Sequence, residues 1–239
     1  MTPVLLVFCV IAVILCHAVQ TSTSPISEVL STSTPADDAF GHGIIDANDF
    51  VDHALENMKS DPKVLEKITP VEVGTLEHGG LRLDDVKLRG LESMYRSDNC
   101  TLRFSDTSFD IVVHLGARDL VVEAAWSKKV INIPFSGHLS ARVADFSILM
   151  DVNIGRSGTA TLQRLEVVRL SDIEVTEATG VSVVFNWALR HLFNRVVHDN
   201  RDNIVHLIET KGATAINEGI KGLGGHFNAQ LNELRRRRR

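Results

Sequence analysis

VADFSILMDVNI, residues Val143–Ile154, alternates apolar and polar side chains: Phe146, Ile148, Met150, Val152 and Ile154 take every second position. Successive side chains of a strand point to opposite faces, so these residues form one continuous apolar stripe. Just upstream, Leu139, Ala141 and Val143 follow the opposite parity. The change falls at Ala144 and Asp145, where a bulge is expected. The stripe either closes an ordinary core or lines a cavity, and the alternation is the same for both.

The neighbouring segments carry the same signature. FDIVVHL sets Phe109, Ile111, Val113 and Leu115 on one face, and DLVVEAAW sets Leu120, Val122, Ala124 and Trp126 on one. The GARD between them reads as a short turn, which predicts a hairpin. LRLDDVKLRGLESMYR changes parity between Leu83 and Val86, predicting a strand bulged near Asp84 and Asp85. After the turn signal GRSG, Gly155–Gly158, TATLQRLEVVRL returns as another strand. From about Val71 to Leu170 the pattern is a meander of long antiparallel strands. At ~3.4 Å per residue such strands reach about 40 Å or more, and have to bend or twist.

Helical periods flank this region. IIDANDFVDHALENMK places Ile44, Ala47, Val51, Ala54, Leu55 and Met58 on one helical face, predicting an amphipathic helix that ends before Pro62. VSVVFNWALRHLFNRVV, from Val181, carries a broad apolar arc through Val197 that resumes at Ile204, Leu207 and Ile208. Asn200 and Asn203 interrupt it, so a bend or a local polar contact is expected there. Glycines 219, 222, 224 and 225 predict a broken helix from Ile216 to Leu231. The order is helix, long antiparallel sheet, long helix, in a single domain over 41–234 without internal repeats.

The ends of the chain read differently from its body. Val4–Leu15 is a 12-residue apolar run, too short to span a bilayer as a helix. It leads into CHA, whose small residues at 16 and 18 suit a signal peptidase, so residues 1–18 are expected to be a secretion signal and the mature protein extracellular. Residues 19–40, rich in Ser, Thr and Pro, read as a flexible leader. With the signal removed, Cys100 is the single cysteine and no intramolecular disulfide can form. In NCTLRF it shares a face with Leu102 and Phe104, as a buried, inert thiol does. The same stretch is a glycosylation sequon whose Asn99 falls on the outward face.

The 239 residues, 44% of them hydrophobic, have a globular composition. The formal charge is -5, and without the five arginines Arg235–Arg239 it is -10. An acidic body argues against broad nucleic-acid or anionic-membrane binding, which needs a basic face. Only the basic tail, 235–239, offers contact with a polyanion or a membrane surface.

Nothing in the sequence suggests catalysis. There is no G-x-S-x-G elbow, no HExxH and no Walker loop; GIKGLGGH, from Gly219, follows a helix and matches no nucleotide fingerprint. His191 and His198 share a helical face, but seven residues separate them by about 10 Å, whereas two ligands of one metal stand one turn apart. With His206 they lie opposite the apolar arc and read as surface histidines. Asp84 and Asp85 are adjacent, so a strand points them apart. The expected protein is not an enzyme and takes no metal and no cofactor.

What stands out is the quantity of aliphatic face. The helices either fill the sheet completely or leave an elongated apolar groove, in which each buried ligand CH₂ contributes ~0.8 kcal/mol. In the second reading the strands line the groove with Phe109, Ile111, Val113, Leu120, Val122, Phe146, Ile148, Met150 and Val152. The long helix adds Val184, Leu189, Leu192, Phe193 and Val196.

VKLRGLESM (Val86–Met94), GTATLQRLEVVRLSDIEV (Gly158–Val175) and the long helix from Val181 resemble the mite group 7 allergens. These are similar in turn to one half of the bactericidal/permeability-increasing proteins and to the insect juvenile-hormone-binding and takeout carriers, a superfamily of tubular lipid-binding domains. The likeness covers about Gly41–Leu234. It implies an α+β fold with a long, strongly curved antiparallel sheet wrapped around a long C-terminal helix, plus the amphipathic N-terminal helix. It also implies an apolar site for a lipid or other hydrophobic small molecule, and no enzymatic activity. The hormone carriers' cysteine pair near the mature N-terminus is missing here, and the acidic body lacks the basic tip with which the bactericidal proteins meet lipopolysaccharide. The alternative is a protein- or membrane-surface interaction module with little or no ligand cavity.

Overall fold

The computed structural model describes residues 44–78, 80–105, 108–130, 132–155, 159–180 and 186–220. The expected signal and leader, Val184 with the rest of 181–185, the glycine-rich end beyond Ile220 and the arginine tail lie outside the described residues. In chain order the elements are β1 (Ile44–Asp46), α1 (Asn48–Ser60), α2 (Pro62–Ile68), β2 (Val71–His78), β3 (Leu81–Arg89) and a 3-10 turn (Leu91–Ser93). There follow β4 (Tyr95–Arg96), β5 (Thr101–Phe104), β6 (Ser108–Val130), β7 (Ile133–Gly155), β8 (Ala160–Ala178), α3 (Asn186–Asp199) and α4 (Arg201–Ile220). The class is α+β, as expected.

β6 is the spine of the antiparallel sheet. One edge carries β7 along its whole length, and the other carries β5, β4 and β3 in succession. β1 extends β5, β2 extends β3, and β8 extends β7. β6 and β7 hold 23 residues each. Straight, such a strand spans ~75 Å, whereas a compact domain of this size has a radius of gyration of ~16 Å. The sheet therefore curls into a half-barrel.

FDIVVHL and DLVVEAAW do not form a hairpin. They are two halves of β6, both paired with β7 in one register from Ser108↔Gly155 to Val130↔Ile133. What reads as a turn is a change of inward parity within the strand. Phe109, Ile111, Val113, Leu115 and Ala117 are buried in the first half, and Leu120, Ala124 and Trp126 in the second. Asp119, left-handed at φ 54°, absorbs the change. β7 switches opposite it, between Val143 and Phe146, and β8 switches next to Asp172, φ 50°. On the other side Gly90, φ 94°, packs so close that a Cβ would lie 2.9 Å from the Asp119 carbonyl oxygen.

Gly90, Asp119, Ala144 and Asp172 thus mark a crease across four adjacent stretches of backbone. The bulge expected at Ala144 and Asp145 is this crease, which leaves the β6–β7 register intact. Register shifts occur between β7 and β8 instead, at Ser140/Ala141, Ser147/Ile148 and Asp151/Val152. The bulge expected near Asp84 and Asp85 is present, with Asp85 at φ 52°.

The first helix starts later than its period suggests. Ile44 belongs to β1, where it pairs with Arg103, and the Asp46 carboxylate accepts the Asn48 N–H at 2.7 Å to begin α1. Pro62 ends α1 and also starts α2. The Asp61 side chain accepts the Lys63 N–H at 2.9 Å, and proline fills a first-turn position that needs no N–H donor.

Two hydrophobic clusters lie along the sheet, the larger crossing the crease through Leu120 and Val143. The larger joins α1 (Phe50, Val51, Leu55, Met58), α2 (Val64, Ile68) and α4 (Ala215, Ile216, Ile220) to the inward stripe of β6, β7 and β8. The smaller joins Trp126, Ala141, Val175 and Ala178 to Phe193 of α3. Trp126 and Phe193 meet edge to face at 5.4 Å, and the indole N–H donates to the Thr179 carbonyl at 2.9 Å.

Candidate functional site

The site is defined by how α3 and α4 sit against the sheet. β8 is an edge strand, paired on one side only with β7, and an open edge exposes backbone donors and acceptors. The two helices satisfy several of them with side chains. Asn194 takes the Val175 N–H on Oδ1 at 2.6 Å and donates from Nδ2 to the Val175 carbonyl at 3.3 Å, as a paired strand residue would. Arg201 donates from Nε to the Leu170 carbonyl at 3.1 Å. Glu209 accepts the Val167 N–H at 2.9 Å and Asn217 the Leu162 N–H at 2.8 Å.

The spacings agree. Asn194 to Asn217 spans about 35 Å of helix at ~1.5 Å per residue. Val175 to Leu162, less the two residues taken up by the bulges, spans about 36 Å of strand. The helical rod runs antiparallel to β8 along its whole edge. It breaks at Asn200, where the expected polar contact appears: Nδ2 donates to the Val196 carbonyl at 2.8 Å.

This clamp orients the rest of α3. Asn194 holds one flank to β8, while Phe193 reaches the Trp126 ring on β6. At 100° per residue, Leu192 and Val196 lie about 160° from Asn194. They occupy the flank turned away from β8, on the side where β3 and β2 continue the sheet. Leu192 is 57% exposed, Val196 41% and Leu207, on α4, 46%. The apolar arc of the helix is therefore wider than the face the sheet buries.

The expected lining residues divide accordingly. Phe109, Ile111, Val113, Leu120, Ile148, Met150 and Val152 are sealed in the larger cluster, against α1, α2 and α4. Phe193 is sealed in the smaller one. Val122, Phe146 and Leu189 are half-buried, and Leu192 and Val196 are exposed. Val122 has the same parity as Leu120 and Trp126 yet, unlike them, belongs to neither cluster. It pairs with half-buried Leu88 on β3 and with Ala141 on β7. The inward residues are thus buried on both sides of the crease but only half-buried at Val122 and Phe146, and the helical rod keeps an exposed aliphatic flank. Sequence reasoning passed over Asn194, Glu209 and Asn217; the available signal was a polar residue every seven or eight positions from Asn194 through Arg201, beside the apolar arc.

Charged chemistry lies on the outer face. Hydrogen bonding from Arg169 holds the Asp145 carboxyl below its usual range. Burial, and then Asp110, push Asp151 above it, and Asp151 Oδ1 is buried with no hydrogen-bond partner among the described residues. An acid raised in the folded state binds its proton more tightly there, so its ionisation opposes folding above the folded pKa and has no effect below the unfolded one. Asp151→Asn is therefore expected to raise Tm at pH 7, with the gain vanishing in acid below the ordinary carboxylate range. Thermal melts across that range check the sign.

Burial pushes the Cys100 thiol up, and its sulfur accepts the His114 N–H at 3.3 Å, which fits an inert core thiol. Asn99 beside it is exposed. His191, His198 and His206 are exposed as well, and among the described residues no group of His, Cys, Asp and Glu is placed to hold a metal ion.

Comparison with known proteins adds a family match. Residues 46–219 match the family model described as Group 7 allergen. No curated protein matches. Among solved structures, Takeout 1 of Epiphyas postvittana is similar at 14% identity, covering 65% of this chain and 76% of that one, with a TM-score of 0.31.

Proposed function

The chain belongs to the group 7 allergen family, and from that premise we propose that it is a secreted, non-catalytic binder of lipids or other hydrophobic small molecules. The ligand lies between the sheet and the helical rod, against Val122, Leu189, Leu192 and Val196. The observation that carries this reading is the aliphatic flank of α3 left exposed at Leu192 and Val196, together with the half-buried inward residues Val122 and Leu189. Aliphatic walls without charged partners select a ligand by length and shape, and each ligand CH₂ taken from water adds ~0.8 kcal/mol. Micromolar affinity corresponds to about 8 kcal/mol, and with association costing at least about 4 kcal/mol a ligand has to bury about fifteen CH₂ groups to reach it.

Extraction of the purified protein with organic solvent, followed by mass spectrometry, together with displacement of a fluorescent fatty-acid probe, tests the proposal. Neither co-purified lipid nor saturable probe binding would leave it without support. Leu192→Asp combined with Val196→Asp is expected to weaken probe binding at least about tenfold, since two aliphatic contacts are lost and charge is placed on the wall. Stability should change by less than about 1 kcal/mol, because both side chains are exposed in the free protein. Secretion rests on the Val4–Leu15 run, and N-terminal sequencing of protein from culture medium would show cleavage after Ala18. The exposure of Asn99 supports its glycosylation, read as an endoglycosidase-sensitive mass that Asn99→Gln removes.

A further inference from the structure

Two buried side-chain oxygens have no hydrogen-bond partner among the described residues, Asp151 Oδ1 on the outer face and Asn186 Oδ1 on α3. At 100° per residue Asn186 lies on the same side of the helix as Phe193 and Val197, which pack in the smaller cluster, and about 60° from Leu189. It therefore faces the sheet. Eight residues carry it about 12 Å along the helix from Asn194, level with the end of β8. Two donors at that end are committed elsewhere: the Trp126 indole N–H to the Thr179 carbonyl, and the Thr179 N–H to the His138 carbonyl. Arg190, one turn on, is exposed on the flank that holds β8. A buried acceptor without a donor costs free energy, and a ligand that brings the donor recovers it.

This acceptor stands at one end of the apolar wall. From Asn186 to Val196 the helix runs about 15 Å, past Leu189 and Leu192. We propose that Asn186 is the head-group contact of the hydrophobic site and that the ligand is an uncharged amphiphile, a long-chain aliphatic alcohol. Its hydroxyl donates to Asn186 Oδ1 while its chain runs along Leu189 and Leu192 toward Val196. This assignment rests on the ligand reading above and specifies the ligand's polar end. An ionised fatty acid brings only acceptors to an acceptor and would bury its charge unpaired, and a hydrocarbon leaves Asn186 unsatisfied. Oδ1 is closed to water in the free protein, so the hydroxyl reaches it as the ligand parts α3 from the sheet. Phe193 is the one side chain that α3 buries fully, so this displacement disturbs little packing.

Displacement of the fluorescent fatty-acid probe from the full chain by hexadecanol, hexadecyl methyl ether and palmitate, in mildly alkaline buffer, tests it. Hexadecanol is expected to compete about tenfold more strongly than the ether or palmitate, because it alone donates a hydrogen bond. Asn186→Leu should bring the alcohol down to the level of the ether, with ether binding and Tm not reduced. Asn186→Asp keeps an acceptor and should retain the alcohol's advantage. Equal displacement by all three competitors overturns the assignment while leaving the hydrophobic site standing, as does an advantage of the alcohol that survives Asn186→Leu. A preference for palmitate also overturns it, and loss of that preference in Arg190→Gln would give the head group to the cation instead. No displacement by any of the three removes the hydrophobic site itself, and this assignment with it.

Discussion

Gly137→Ala is expected to destabilise the protein by at least about 4 kcal/mol, in the range that marks a specific steric failure rather than an ordinary core change. A Cβ at Gly137 would lie 1.8 Å from the Thr179 carbonyl oxygen, which is backbone and cannot rotate away. That carbonyl also accepts the Trp126 indole N–H, and the Thr179 N–H donates to the His138 carbonyl at 2.9 Å. Relieving the clash therefore undoes the crossing that ties the end of β8 to β7 and anchors the aromatic pair beneath α3. For a domain of this size the loss corresponds to a drop in Tm of about 10 °C or more, accompanied by loss of the near-ultraviolet dichroism of Trp126. Gly180→Ala should behave alike, since it sits at φ 128° with the Ser136 carbonyl 2.1 Å from the added Cβ. Gly80 provides the control. It too has a positive φ, 75°, but nothing lies within 4 Å of a Cβ there, so alanine should cost only the ~1 kcal/mol of backbone strain.

The second large effect is expected at Asn194. Asn194→Leu keeps the volume but leaves both the N–H and the carbonyl of Val175 without their partner, and Val175 is fully buried. Two buried groups left unsatisfied at ~1–3 kcal/mol each give a loss of about 2–6 kcal/mol, read from denaturant unfolding. Asn194→Asp keeps an acceptor for the Val175 N–H and should fall between that variant and the unaltered protein. An equal loss in the two variants would show that the clamp depends on the amide donor alone. The leucine variant should also aggregate more readily, because the β8 edge is then open to another strand.

How much of this was legible in the sequence depends on the length over which each signal acts. Strict alternation identified the inward residues of β6 and β7 and the presence of β8, and Asn200 marked the break between α3 and α4. The GARD segment misled because an alternating pattern reports parity, and parity changes in the same way at a hairpin turn and at a crease. Only the partner strand tells them apart: β7 is long enough to pair with both halves, which a local reading does not test. Ile44 fitted a helical face by spacing yet is held in β1 by β5, a partner more than fifty residues along the chain.

The arc on α3 raised the converse problem. Periodicity shows which residues share a face but not how wide a face the sheet will cover, so Leu192 and Val196 looked identical in kind to Phe193. The clamp residues were illegible for a chemical reason. An asparagine on an amphipathic helix looks like surface until the edge it serves is known.

The crease at Asp119 and Asp172 bears on folding fidelity. Two strands of 23 residues with uniform alternation would tolerate sliding by two positions, since such a slip returns every side chain to its proper face. When both strands reverse their facing at the same level, that freedom disappears. A two-residue slip would carry one reversal past the other and turn the intervening side chains to the wrong side. The paired reversals at Asp119 and Ala144 act as a registration key: they give an otherwise repetitive ladder a single alignment.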